Sequence, residues 1–147
     1  MIFSYLLAMA LAVVQLQLPS GGLGEGLPQI VEARYASAPI AAGREGRVVV
    51  SLEVQNGYLI NRVPQMQLTL ETVAGLRLPV TELLSPTEDP KSTDSYYVDV
   101  PDFTVRVEGD APGRYEIPGE LVYFFCSKAD GFCSRQIIAV NVPVTVR

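Results

Sequence analysis

From residue 30 onward the apolar positions of the chain recur with a period of two. Residues 47–54, "RVVVSLEV", set Val48, Val50, Leu52 and Val54 on one side and Val49, Ser51 and Glu53 on the other, the alternation of a half-buried strand. The pattern returns at Met66, Leu68 and Leu70, at Phe103, Val105 and Val107, and at Val140, Val142, Val144 and Val146. No segment of comparable length shows the 3.6-residue period of a helix. Turn-forming residues fall between the runs: Asn56-Gly57, Ala74-Gly75, residues 108–113, and Pro118-Gly119. About seven or eight short strands at this spacing predict an all-β fold, an immunoglobulin-like antiparallel β-sandwich.

Two interruptions refine the expectation. Pro143 lies inside the last run and cannot donate to a ladder, so it must face outward on an edge strand or sit at a bulge. Residues 85–95, "SPTEDPKSTDS", hold two prolines and four charged residues without an apolar anchor, and are expected to form a mobile surface loop.

The N-terminus is different in kind. Residues 1–18 carry no charge and are almost wholly apolar through Val14. They resemble the hydrophobic region of a secretory signal, with Ala8, Ala10 and Ala12 able to serve a cleavage site, though without the usual positive n-region. A retained membrane anchor is disfavoured because Gln15 and Gln17 interrupt the run, and a span needs about 20 apolar residues. An N-terminal helix or strand packed on the domain, or a start assigned a few residues late, are the other readings. Residues 19–29, rich in Gly and Pro, read as a linker, leaving 30–147 as the folded domain. Export, and with it an oxidising compartment, is the expectation.

Composition narrows the chemistry. Sixteen Asp and Glu stand against eleven Lys and Arg with no basic stripe, which argues against a nucleic-acid partner. The chain has no histidine and two cysteines, so histidine-based hydrolytic triads and ordinary structural zinc sites are excluded. No metal, flavin or nucleotide cofactor is implied, and a monomer is expected.

The two cysteines lie in "YFFCSKADGFCSRQ", residues 123–136, with an Asp-Gly turn between them. "ELVYFFC" reads as the strand entering, "SKADGF" as the turn and "CSRQIIAVNVPV" as the strand leaving. Cys126 and Cys133 therefore face each other across a hairpin, where α-carbons can come within the roughly 4.4–6.8 Å of a disulfide. We expect the bond to form. As a staple it closes a short loop, worth about 2.5 kcal/mol in the chain-entropy model, much of it already held by the hairpin. As a redox centre it offers two thiols on a solvent-reaching turn, with Lys128 and Arg135 favouring thiolate and Asp130 opposing it. From these residues alone both readings stand. Phe124, Phe125 and Phe132 are expected to divide between the core and an exposed apolar patch beside the sulfurs, where Phe132 would suit partner docking.

The segment "LVYFFCSKADGFCSRQIIAVNVPV", together with "EVQNGYLINRVPQMQLTL" at residues 53–70, resembles the N-terminal immunoglobulin-like domain of the thiol:disulfide interchange protein DsbD family. It is similar also to the C-terminal β-domain of thioredoxin-like proteins with NHL repeats. The likeness spans residues 30–147, and its specific part is confined to those two segments. It implies a periplasmic redox carrier passing electrons between a thioredoxin-like or membrane thiol-disulfide oxidoreductase and oxidised exported proteins. It gives Cys133 the mixed disulfide, Cys126 its resolution, and Tyr58 of "GYxxxR" a place beside the sulfurs. The shielding loop of that family has no motif match here, and residues 87–97, with Tyr96 or Tyr97 as the shield, are expected in its place. Two features depart from the family: the cysteine spacing is one residue longer, and Asn61 replaces the second tyrosine. Read without the resemblance, Tyr58 is a turn-flanking packing residue, Tyr96 and Tyr97 begin a strand, and Lys128 is a solvated charge. The alternative function is an exported protein-interaction β-sandwich whose hairpin disulfide is purely structural.

Overall fold

A computed structural model describes residues 28–147. The signal-like segment 1–18 and linker residues 19–27 lie outside the described residues. Nine strands and no helix are present among the described residues: β1 (Val31–Ala36), β2 (Glu45–Val54), β3 (Tyr58–Ile60), β4 (Gln67–Leu70), β5 (Leu76–Arg77), β6 (Glu82–Leu84), β7 (Phe103–Gly109), β8 (Gly113–Ser127) and β9 (Cys133–Val146). One sheet has the order β1-β2-β7-β5. In the other, β8 pairs with β9 along one edge and with β3 and β4 along the other, and β6 lies beyond β4. All these pairings are antiparallel. The inward rows, including Val48, Val50, Phe103, Val105 and Val107 of one sheet and Leu68, Ile117, Leu121, Tyr123, Phe125, Val140 and Val142 of the other, share one core. The chain is an antiparallel β-sandwich.

The period-two runs become β2, β4, β7 and β9, with the expected faces inward. Pro118-Gly119 does not turn the chain: β8 runs straight through it. Gly119 lies between Leu70 of β4 and Val140 of β9. A Cβ there would come within 2.6 Å of the Thr69 carbonyl oxygen, so this glycine serves close strand approach. Pro118 accepts the Glu71 N–H on its carbonyl at 2.8 Å, and its missing donor falls where β4 ends. Pro143 sits opposite Glu116 in the β8–β9 ladder, and β9 has no other named strand beside it, as an edge position requires. Two residues earlier, the Asn141 N–H donates to the Tyr35 hydroxyl at 3.1 Å.

A polar clasp joins the two sheets at one end. The Tyr123 hydroxyl donates to Gln136 Oε1 and accepts the Val31 N–H at 3.3 Å, while Gln136 Oε1 also receives the Ile30 N–H at 3.2 Å. Tyr123 and Gln136 are themselves register partners. Burial raises the Tyr123 phenol above its ordinary value of 10.0 because the phenolate loses hydration there.

The segment at residues 85–97 differs from the expected unanchored loop. Asp89 accepts the N–H groups of Lys91 and Val98 at 2.9 and 2.8 Å, and Asp94 accepts that of Tyr96 at 3.0 Å and the Ser92 hydroxyl at 2.9 Å. These backbone donors hold both carboxyls below the ordinary carboxylate range, Lys91 N–H leading for Asp89 and Tyr96 N–H for Asp94. The apolar anchor is Tyr97, buried in the core. Its hydroxyl donates to the Pro86 carbonyl and lies 2.9 Å from Ser85 Oγ, which in turn accepts the Met66 N–H at 2.8 Å. Short side chains that bond their own backbone order a polar stretch that hydropathy alone reads as loose.

Candidate functional site

Cys126 and Cys133 are opposite residues at the tip of the β8–β9 hairpin and are disulfide-bonded, with α-carbons 4.0 Å apart. The Ser127 N–H donates to the Phe132 carbonyl at 2.7 Å, so the cysteines occupy the next pair inward, one without mutual backbone bonds. Such pairs are the narrow ones of an antiparallel ladder, which accounts for a separation below the range expected from sequence.

The turn is held from within and from without. Gly131 takes a φ of +70°, a conformation that glycine reaches without penalty, and its N–H donates to the Ser127 carbonyl at 3.0 Å. Asp130 Oδ1 accepts the Phe132 N–H at 3.0 Å, and that bond, seconded by Ser127, keeps its carboxyl below the ordinary value of 3.8. The Lys128 N–H donates to the Gly57 carbonyl at 2.9 Å, tying this turn to the one between β2 and β3.

Strand geometry assigns the sulfurs to a face. Successive side chains of a strand point to opposite sides, and Leu121, Tyr123 and Phe125 all point into the core. Cys126 therefore points out of the sandwich, yet it is only 3 % exposed. Cys133, on the same outer face, is exposed. Across β8 from Cys133, Leu59 of β3 is the register partner of Cys126, and Asn61 brings its Oδ1 to 3.7 Å from Cys126 Sγ. One cysteine of the bonded pair is covered while the other faces solvent.

Asn61 is fixed by its backbone. Its N–H donates to the Phe124 carbonyl at 2.9 Å, and it forms an isolated antiparallel bridge with Tyr96. The next residue, Arg62, donates Nε and Nη1 to the Asp94 and Thr87 carbonyls, each at 2.9 Å, and Nη2 to Asp94 as well. The Arg62 N–H reaches the Ser95 carbonyl at 2.8 Å and the Tyr97 N–H the Ile60 carbonyl at 3.0 Å. Residues 87–97 are thus seated against the strand end that lies beside Cys126.

The sequence-derived candidates divide accordingly. Cys126, Cys133 and Asn61 come together, and Tyr96 adjoins them through its bridge to Asn61. Tyr58 is half-buried opposite Ser127, its ring edge-on to Phe125 at 5.8 Å. Tyr97 is not a shield over the sulfurs: its ring is in the core, because alternation turns it inward when Tyr96 faces out. Neither tyrosine begins a named strand. Lys128 is exposed and contributes its backbone rather than its ammonium to the contacts of the turn. Phe132 is 50 % exposed while Phe125 is buried, the division expected of the aromatics. Arg62 was visible within "GYxxxR", but its work of holding three carbonyl contacts depends on a loop 25 to 32 residues away. Asp89 and Asp94 carried the local signal, an Asp two residues before the N–H it caps. Among the described residues, no three Cys, Asp or Glu side chains gather in a way that could hold a metal ion.

No family model and no curated protein matches this chain. Among solved structures, it is similar to domains 4 and 5 of the S-layer protein SbsC at 18% identity and a TM-score of 0.35, over 80% of this chain. The match spans about half (51%) of that structure's own length, and at this level of similarity it carries no argument about function.

Proposed function

We propose that this chain is an exported thiol-disulfide exchange domain that works through Cys126 and Cys133 with partner proteins, in the manner of the DsbD N-terminal domains it resembles. The reading is carried by the unequal burial of the two bonded cysteines: Cys126 covered and Cys133 exposed. Exchange proceeds by attack of a thiolate on one sulfur of a disulfide. A partner thiolate reaches Cys133 Sγ from solvent, the bond between the two cysteines breaks, and its electron pair stays on Cys126 Sγ. The product is a mixed disulfide at Cys133 with Cys126 reduced. Attack by a second partner thiol on the partner's own sulfur releases Cys133 as thiolate and leaves this domain reduced and the partner oxidised. In the other direction, Cys126 attacks Cys133 Sγ in a mixed disulfide and expels the partner as a thiolate. The partners are a thioredoxin-like or membrane oxidoreductase on one side and oxidised exported proteins on the other.

The test is the reduction potential of the couple, measured on the full chain by equilibration in thiol buffers and counting of free thiols. A value of roughly −180 to −270 mV belongs to exchange proteins, and Cys126→Ser then accumulates mixed disulfides at Cys133. A value below about −300 mV marks a structural bridge, and the chain is then an interaction module with a stapled hairpin.

A further inference from the structure

Reduction leaves a sulfur where the structure provides little water. We infer that the side-chain amide of Asn61 is the group that receives Cys126 when the disulfide opens, stabilising its thiolate as the leaving group. The role rests on the exchange reading given above; its test does not.

The argument begins with the contact itself. In the oxidised protein Cys126 has no S–H, so the 3.7 Å approach of Asn61 Oδ1 to its Sγ is not a hydrogen bond. Once the disulfide is cleaved, the same geometry becomes one. A Cys126 thiol donates to Oδ1, and after a half-turn of the amide plane a Cys126 thiolate accepts from Nδ2–H. The amide therefore serves either protonation state. Burial of Cys126 makes a partner necessary, because a thiolate removed from water is raised in energy unless something donates to it.

The surroundings give no equivalent. Among the described residues, Asn61 holds the one side-chain polar atom within hydrogen-bonding distance of Cys126 Sγ. The titratable or charged side chains on the adjoining elements are Tyr58 of β3 and Arg62 just after it, Lys128 and Asp130 on the turn, Arg135 on β9, and Glu88, Asp89, Lys91, Asp94 and Tyr96 on the segment bridged to Asn61. Arg62 is committed to the Thr87 and Asp94 carbonyls. Cys133 Sγ has the Gly131 carbonyl at 3.5 Å, an acceptor that suits a thiol and repels a thiolate. With the amide turned, the pair becomes polarised: Asn61 Nδ2–H can donate to the buried sulfur, whereas the backbone carbonyl at the exposed one can only accept. Displacement that expels Cys126 is favoured over displacement that expels Cys133. Asn61 is positioned for this by its N–H bond to the Phe124 carbonyl and by the Arg62–Ser95 and Tyr97–Ile60 backbone bonds that flank its bridge to Tyr96, none of which involves its side chain.

The experiment uses the full chain carrying Cys133→Ser, so that Cys126 is the one thiol, and follows the rate of its alkylation against pH. Asn61→Ala is expected to raise the Cys126 pKa by about one unit, the scale of a hydrogen bond to a charged group. Asn61→Asp, which keeps the shape and puts a carboxylate at the sulfur, is expected to raise it further. Asn61→Ser, which retains a donor, restores part of the difference. With both cysteines present, Asn61→Ala should shift the equilibrium with a reference dithiol about tenfold toward the disulfide, about 30 mV for a two-electron couple. A pKa that is the same within about a factor of two in midpoint proton concentration across all three variants overturns the inference. A pKa that moves as stated, in a protein whose potential lies in the structural range, retains the Asn61 contact and overturns the exchange reading instead. Circular dichroism of each variant separates a local effect from failure to fold.

Discussion

Phe125 and Cys126 are consecutive residues of β8, and both are buried, on opposite faces of one sheet. The phenylalanine is part of the shared core; the cysteine is not. Burial of Cys126 therefore comes from what lies on the outside of the sandwich, and it can change without the core changing.

Reduction should accordingly leave the fold intact. The cysteines close a loop of sequence separation 7 at the end of a ladder that already aligns β8 and β9 from Gly113 to Cys126. Urea unfolding of oxidised and reduced protein should differ by no more than about 2.5 kcal/mol, the chain-entropy value for a loop of this size. In the reduced protein, a brief pulse of a bulky maleimide followed by peptide mapping should label Cys133 about tenfold or more ahead of Cys126, as accessibility governs thiol reactivity. Equal labelling would mean that the cover over Cys126 opens freely.

The segment at residues 87–97, seated beside the strand end that carries Asn61, is pinned by Arg62. Replacing it with alanine removes the donors to Thr87 and Asp94 but leaves Tyr97 in the core. The loss of global stability should be small, about 1 kcal/mol or less, because the guanidinium contacts are exposed to solvent. Local opening is the sensitive readout. Amide hydrogen exchange at Arg62→Ala should quicken in residues 87–96 while β7 and β9 are unchanged, and Cys126 labelling should quicken with it. Faster exchange throughout β8 would assign Arg62 to the fold instead.

The Tyr123 clasp predicts an alkaline limit. Burial raises its phenol above 10.0 in the folded chain, whereas the unfolded value stays near about 10. Below that unfolded value the contribution is fully present; as pH rises through the folded value the unfolded chain releases its proton first and stability falls. Tyr123→Phe should lose about 1–3 kcal/mol near neutral pH, the penalty for leaving the Val31 N–H without its hydroxyl. It should also fall less steeply than the native chain above pH ~10. Parallel stability curves for the two proteins would remove the clasp from the account.

The sandwich was legible because its signal is local. Alternation at Val48 to Val54, Phe103 to Val107 and Val140 to Val146 depends only on which side of a strand is wet, and Pro143 announces an edge by chemistry alone. The cysteine hairpin was legible for the same reason. Pro118-Gly119 was misread as a turn, since a glycine that permits β4 to approach β8 and a glycine that bends a chain look alike in sequence. The seating of residues 85–97 was legible only in part. Tyr96 and Tyr97 could be assigned to the neighbourhood, but which of the two faces the core depends on the bridge between Tyr96 and Asn61. The anchoring of residues 85–97 depends on Ser85, Arg62 and Tyr97 meeting across the fold, and nothing in hydropathy records such a meeting. That Cys126 faces outward could have been read from parity, because three alternating inward residues end at Phe125, but its burial there could not.

β8 is bonded to β9 along one side and to β3 and β4 along the other, and the sulfurs sit at the end of this doubly held strand. Sliding the hairpin would break ladders on both sides at once, so the two sulfurs act as a stationary reference. Cys133 is open to solvent, and the segment seated by Arg62 borders the strand end beside Cys126. Under the exchange reading proposed above, selectivity among partners would reside in the shape of that segment, which can be altered by editing residues 87–96 without touching either cysteine or the strand that carries them.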